Sequence, residues 1–439
     1  MIDRFRPSRS LRRPLVALVA MGVAAAVLTG CGGDGTEGAQ IQWIPGTPPG
    51  EVARIDQPTP TETALPTATA TDGEAATAAP TPTSQPAAAS TATSPAESAD
   101  LVTGRKLTAQ ELARFKPDEL GQIPVLEYHD LVADPKDEAQ FARTIADFRA
   151  DLDWLYKHDF YIVPLRDVIQ NEIKAPAGKH PVVLTFDDSY ASQFRYLIGN
   201  DGSVTIDPDS AVGIIEAMYA KHPDFGRGGF FAVIPTFCFD WGPTTHEDDQ
   251  TQYCSQKIGW LLDNGYEVGN HTHDHTDLYD VTDEEFAAQV GGAIEALQEY
   301  DSRVKADIIA MPFGNYPKKG HEEQRDMLRN GFTYDGHDYQ MLGALMVGAN
   351  PSVSPVSTDW DPLYIPRIQA WDKDAQKKDK NLRDATSLTD WFDLFASDPS
   401  RLYTSDGDPN TITVPNQVPD SLGDTFDEGK AEGKEIVRY

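Results

Sequence analysis

Leu184-Thr185-Phe186-Asp187-Asp188-Ser189-Tyr190 is the stretch from which the fold of this 439-residue chain is read. It completes an apolar, β-branched run, Val182-Val183-Leu184-Thr185-Phe186, that no charge interrupts and Pro181 bounds. Such a run reads as a buried strand. The strand delivers two adjacent carboxylates, Asp187 and Asp188, at its C-terminal end, where α/β barrels and open α/β sheets place their chemistry. Two carboxylates so close cannot both stay ionised cheaply unless a cation or hydrogen bonds compensate. A metal is the simplest compensation. The competing reading is a strand end with two solvated acids that cap the next turn.

Further along, Gly269-Asn270-His271-Thr272-His273-Asp274-His275-Thr276-Asp277 puts three of the chain's ten histidines into five positions. Imidazole together with carboxylate suits zinc and its neighbours in the first transition row. The segment follows a strand-like approach, Tyr266-Glu267-Val268-Gly269, and precedes a helix predicted over 283–300, with Thr282 and Glu285 as its capping box. Both groups of candidate ligands therefore stand at a strand end before a helix. A surface polar cluster is the alternative, but three histidines together rarely arise for solvation alone.

On these residues the chain resembles the polysaccharide deacetylases, carbohydrate esterase family 4. Thr185-Phe186-Asp187-Asp188 resembles their first motif, and His271, Thr272 and His275 meet the second, His, Ser or Thr, two free positions, then His. The resemblance implies that Asp188, His271 and His275 bind a divalent metal, usually zinc, and that Asp187 is the general base. His273 falls on a free position. The third motif, Arg-x-Pro-aromatic-Gly, is met in part by Ala310-Met311-Pro312-Phe313-Gly314. Ala310 stands where the family has an arginine that tunes the base, while the backbone N–H of Phe313 keeps the role of helping to hold the oxyanion. The usual late Leu-x-His motif is absent, since no histidine follows His337. Ile123-Pro124-Val125-Leu126-Glu127-Tyr128-His129-Asp130 instead resembles the opening of a branch acting on poly-N-acetylglucosamine and related glycans, in which an early histidine is the acid; here that is His129. Ile365-Pro366-Arg367-Ile368 resembles a recurrent late segment, and Arg367 is read as a surface salt bridge rather than an active-site cation.

The fold implied is α/β: a distorted (β/α) barrel of about seven strands, of polysaccharide-deacetylase type and circularly permuted. The pattern of the chain agrees, because element types alternate as in a parallel α/β fold. Strands are predicted at 123–127, 160–164, 182–186, 229–235, 266–269, 306–312, 342–348 and 363–370. Helices are predicted over 138–157, where Phe141, Ile145, Phe148, Leu152 and Leu155 recur at helical spacing, and over 165–171, 211–222, 322–330 and 386–396. In the loop over 238–254, Trp241 reads as a sugar-stacking platform or as a packing residue. Cys238 and Cys254 are expected to form a disulfide in an oxidising compartment and to be free thiols otherwise.

Residues 1–31 read as an address label: Arg4, Arg6, Arg9, Arg12 and Arg13 precede an apolar run over 15–28. Leu28-Thr29-Gly30-Cys31 resembles a bacterial lipobox, which implies lipid attachment at Cys31 and an exported protein anchored to the outer face of the bacterial cell membrane. Residues 32–102 are dominated by Thr, Ala, Pro and Ser and cannot bury enough apolar surface to offset chain entropy, so they read as a disordered tether. The catalytic domain is placed at 103–397; residues 398–439, rich in Asp, Pro and Gly, receive no fold assignment. With 69 acidic against 37 basic residues the net charge is −32, which argues against nucleic acid as a partner. The function expected is metal-dependent removal of N-acetyl groups from an N-acetylglucosamine-containing polysaccharide. An O-acetyl esterase and a non-catalytic glycan-binding lipoprotein are the alternatives.

Overall fold

The computed structural model describes residues 101–241, 249–348, 350–378, 382, 385–416 and 426–439. The predicted signal peptide with Cys31, and all but the last two residues of the tether, lie outside the described residues.

Seven parallel strands build the sheet: β1 (Val125–Tyr128), β2 (His180–Phe186), β3 (Phe230–Val233), β4 (Glu267–Asn270), β5 (Ile308–Ala310), β6 (Gly343–Leu345) and β7 (Ile368–Gln369). Their order across the sheet is β6-β5-β4-β3-β2-β1-β7, and a further strand, Phe160–Ile162, pairs with the first half of β2. A parallel bridge from Leu345 to Ile365, just before β7, brings the two edges together. The sheet is thereby curled into a distorted (β/α) barrel, as expected. Helices Ile145–Lys157, Ala211–Lys221, Cys254–Asp263, Asp283–Tyr300 and Glu322–Asn330 link successive strands up to β6.

Strand alternation assigns every side chain to the barrel interior or to the helix layer. On β2, Val183 packs in the interior cluster and Leu184 and Phe186 in the outer one; on β1, Val125 lies inside and Leu126 and Tyr128 outside. Continuing the inward parity past each strand end reaches Thr185 and Asp187 from β2, and Glu127 and His129 from β1. Gly269 on β4 is required by sterics: a Cβ there would lie 2.0 Å from the Phe230 ring that fills the interior.

One expectation is corrected, and one segment left unassigned takes on structure. The helix predicted from residue 138 begins at Ile145, because Thr144 caps it by accepting from the Asp147 N–H. Residues 142–144 instead form a short strand with 130–132, and Phe141 joins the site wall rather than a helix face. Among the described residues beyond Ser397, β8 (Thr411–Val414) and β9 (Glu435–Arg438) pair in parallel and pack with Leu120, Val356 and Ala431. Tyr403 joins the interior cluster beside Ile123, at the end of the barrel where the strands begin.

Candidate active site

The site is built where β1, β2, β4 and β5 end. A cavity of about 140 Å³ receives the polar groups of His129, Asp187, Asp188, His271 and His275. Its apolar wall comes from Phe141, Trp241, Met311, Phe313 and Val347. Asp188, Ser189, Thr272, His275 and Phe313 all hold positive φ, from 58° to 73°. Left-handed backbone is costly for residues with a Cβ and clusters where side chains must be aimed out of a strand's regular parity. That twist separates the two aspartates: Asp187 stays on the inward parity, while Asp188 turns toward the histidines.

Asp188 Oδ1 lies 3.0 Å from His271 Nε2 and 3.2 Å from His275 Nε2. His271 Nδ1 donates to the carbonyl of Ala310 (2.8 Å), which fixes the tautomer and points Nε2 at Asp188. Burial pushes the Asp188 carboxyl up, but hydrogen bonds from His271 and His275 outweigh it and hold it well below the usual carboxylate range. For His271 burial acts downward, and the Asp188 hydrogen bond and the charges of Asp187 and Asp188 prevail, raising it. The donor set fits a divalent transition metal: two imidazole nitrogens and a carboxylate oxygen within 4.8 Å of one another. His273, on the free motif position, instead pairs with Asp274 at 3.0 Å.

Asp187 has a different partner. Arg367, with 0% exposure, clamps it with both arms of the guanidinium, Nη1 to Oδ1 at 2.8 Å and Nη2 to Oδ2 at 2.6 Å. Nη1 also donates to Thr185 Oγ1 at 3.1 Å and Nε to the Met346 carbonyl at 2.9 Å. Burial pushes the Asp187 carboxyl up; the guanidinium outweighs it, so the net direction is downward. The reading of Arg367 as a surface salt bridge is therefore wrong. The cation absent at Ala310 is supplied by the residue immediately before β7, where Ile365, Arg367 and Gln369 share the inward parity. An arginine set at that spacing in an apolar strand is the signal that could have revealed it.

His129, beside Asp187, is 9% exposed, and its ring meets Phe141 edge-on at 4.8 Å. The Gln193 amide ties the two together by donating to the backbone carbonyls of His129 (3.1 Å) and Asp187. Phe313 sits in the turn Pro312–Gly314 with φ 59°, its ring 4.7 Å from His275. Trp241 packs edge-on against Phe237 at 4.3 Å while still facing the cavity. A Cys238–Cys254 disulfide ties the Trp241 loop to the helix Cys254–Asp263.

Two other acidic groupings do not suit a metal. Glu127, His129 and Asp187 surround the Arg367 guanidinium, and Glu138, Asp147 and Asp372 gather near Arg143, which pairs with Glu138 at 3.1 Å and Asp372 at 3.5 Å. A cation already occupies the charge centre of each.

Among solved structures, a polysaccharide deacetylase from Bacillus cereus is similar at 18% identity and a TM-score of 0.40, covering 57% of this chain and 65% of that one. The chain thus spans less than two thirds of that protein. A Streptococcus pyogenes deacetylase solved with acetate is similar at 17% identity and a TM-score of 0.41, with 59% and 98% covered. IcaB from Ammonifex degensii is similar at 18% identity and a TM-score of 0.39, with 59% and 95% covered. No curated protein matches the chain. Residues 237–330, the stretch that carries Trp241, His271, His275 and the Phe313 turn, match the family model of the polysaccharide deacetylases.

Proposed function

We propose that this protein is a metal-dependent N-deacetylase acting on an N-acetylglucosamine-containing polysaccharide of the cell envelope or extracellular space. The observation that carries the reading is the division of labour between adjacent aspartates, Asp188 facing two imidazoles and Asp187 clamped by a buried arginine. A divalent metal, zinc by the chemistry of the donors, would be held by Asp188, His271 and His275, and when bound supplies Lewis acidity toward the acetyl carbonyl and the attacking water.

The chain's own residues do the rest. Asp187, kept ionised and oriented by Arg367, takes the proton of the water as it attacks the carbonyl carbon. The Phe313 N–H donates to the oxygen on which negative charge develops. His129 delivers a proton to the departing amine, and acetate and a glucosamine residue are released. The aromatic wall excludes water around the acetyl group.

The leader over 1–31 supports export and lipid anchoring through Cys31, with residues 32–102 as the tether that lets the barrel reach a polymer. The test is acetate release from N-acetylglucosamine oligomers, with chelator and with added zinc. Metal-dependent release is expected. Release from O-acetylated glycans alone would make it an esterase, and no release despite stoichiometric metal would make it a binding protein.

A further inference from the structure

Tyr190 lines the cavity, and the reaction above gives its hydroxyl no work. It stands past the end of β2, just after both aspartates, and is half-buried. The groups that do the chemistry lie deeper: Asp187, Asp188 and His271 are 1%, 9% and 2% exposed. An acetyl group that meets them fills the bottom of the cavity. What stands at the level of Tyr190 is then the sugar that carries the acetyl group. Trp241, also half-buried, lines the same cavity from the loop after β3.

The two aromatic residues are held as one unit. Tyr190 and Trp241 form a parallel bridge, the Trp241 N–H donates to the Ser189 carbonyl at 3.0 Å, and the Ile234 N–H donates to Ser189 Oγ at 2.8 Å. The Trp241 ring stands 5.5 Å from that of His275, and the disulfide at Cys238 fixes the same loop. The indole N–H approaches the phenol oxygen of Tyr190. An indole nitrogen only donates, so this contact uses the phenol as acceptor and leaves its own proton to be given elsewhere. Among the described residues no protein group accepts that proton. An apolar ring beside a hydroxyl with a proton to give suits a sugar, which offers a C–H face and ring hydroxyls together.

We propose that Tyr190 is a specificity-determining residue: its O–H donates to a ring hydroxyl of the sugar that bears the acetyl group. The Trp241 ring lies against the apolar face of the same sugar and its N–H holds the phenol in place. The inference rests on the deacetylase reading and deepens it, because the site then selects acetylated sugars over other acetyl compounds. Neither residue makes or breaks a covalent bond. Their contacts are the same before and during the reaction, so they act on substrate binding and leave the rate of the bound complex nearly as it is.

The experiment compares zinc-loaded full-length wild type with Tyr190→Phe, which removes one oxygen and keeps the ring. The substrates are N-acetylglucosamine oligomers and p-nitrophenyl acetate, which offers an acetyl group and no sugar. The expected result is a rise in KM of about tenfold on the oligomers, with kcat within about twofold of wild type. Loss of kcat/KM on p-nitrophenyl acetate should be several times smaller than on the oligomers. An unchanged KM on the oligomers, or equal losses on both substrates, would overturn the proposal. Should wild type release no acetate from any glycan, the deacetylase reading fails by itself. The sugar contact is then read from calorimetric titration of zinc-loaded protein with the N-acetylglucosamine tetramer. Binding that weakens about tenfold in Tyr190→Phe supports the contact; equal binding, or none to wild type, overturns it. Trp241→Phe keeps a ring against Phe237 without the indole N–H. It carries the comparison if Tyr190→Phe does not fold, with a rise in KM confined to the oligomers again expected.

Discussion

Asp187 and Asp188 are chain neighbours, yet one meets a guanidinium and the other two imidazoles, because a single left-handed residue redirects the second. Replacing Asp187 by Asn leaves the three candidate ligands in place. We expect bound metal to stay stoichiometric while acetate release falls about a hundredfold or more. A variant with wild-type rate would remove Asp187 from the base role. Arg367→Met tests the clamp. It leaves Asp187 and Glu127 buried with no cation between them, so unfolding free energy measured in denaturant should drop by about 3–5 kcal/mol. Arg367→Lys keeps a charge without the two-armed fork and should recover stability more than rate. Equal stability of Arg367→Met and wild type would mean that both acids are neutral in the folded protein.

At the scale of elements, strand parity does the positioning and backbone strain does the aiming. One consequence lies outside the site. Glu267, at the start of β4, accepts from the N–H groups of Leu165 (2.6 Å) and Arg166 (3.1 Å), at the first turn of the short helix Leu165–Ile169. Burial is the main reason its carboxyl is pushed up, from 4.5 to about 7, against the hydrogen bonds that favour the charge. The folded state therefore binds a proton that the unfolded chain has released between those values. Stability from this group is fully present below about 4.5 and is lost as pH rises through about 7, a change of roughly 3 kcal/mol. Glu267→Gln should flatten that part of the stability–pH curve in denaturant titrations. An unchanged slope would assign it to other groups.

For the whole molecule, the described residues after Ser397, 398–416 and 426–439, are part of the folded body. Tyr403 packs in the barrel interior, and the Tyr403 N–H donates to the Gln122 carbonyl at 2.9 Å. Buried Glu119 accepts from the N–H groups of Asp406 (3.2 Å) and Thr413 (2.9 Å). Deleting 398–439 strips these partners from Glu119 and exposes Leu120 and Ile123. We expect the truncated chain to lose its cooperative melting transition, since a buried carboxylate and an apolar floor are uncovered together. A truncated protein that melts like wild type would make the segment dispensable.

Much of this architecture was legible along the chain. The run into Asp187-Asp188 and the close histidines of 271–275 named strand ends, and alternating strand and helix patterns named a parallel α/β barrel. These signals are local: apolar runs, helical spacing and clustered ligand types need no knowledge of distant partners. Arg367 was not legible as a site residue, because its partner lies 180 positions earlier and only barrel closure brings them together. Glu127 was hidden for the same reason, since nothing local marks a carboxylate as buried beside an arginine 240 positions later. The early helix boundary at residue 138 failed because helical spacing continues through Phe141, whereas the Thr144 cap decides where hydrogen bonding starts. The C-terminal segment read as unassigned because its short strands are apolar only where they meet Leu120 and Val356. The sequence alone determined the candidate ligands and the class of fold. Tertiary structure decided which carboxylate meets the arginine and which meets the histidines, because charge pairing inside a barrel depends on closure across the chain.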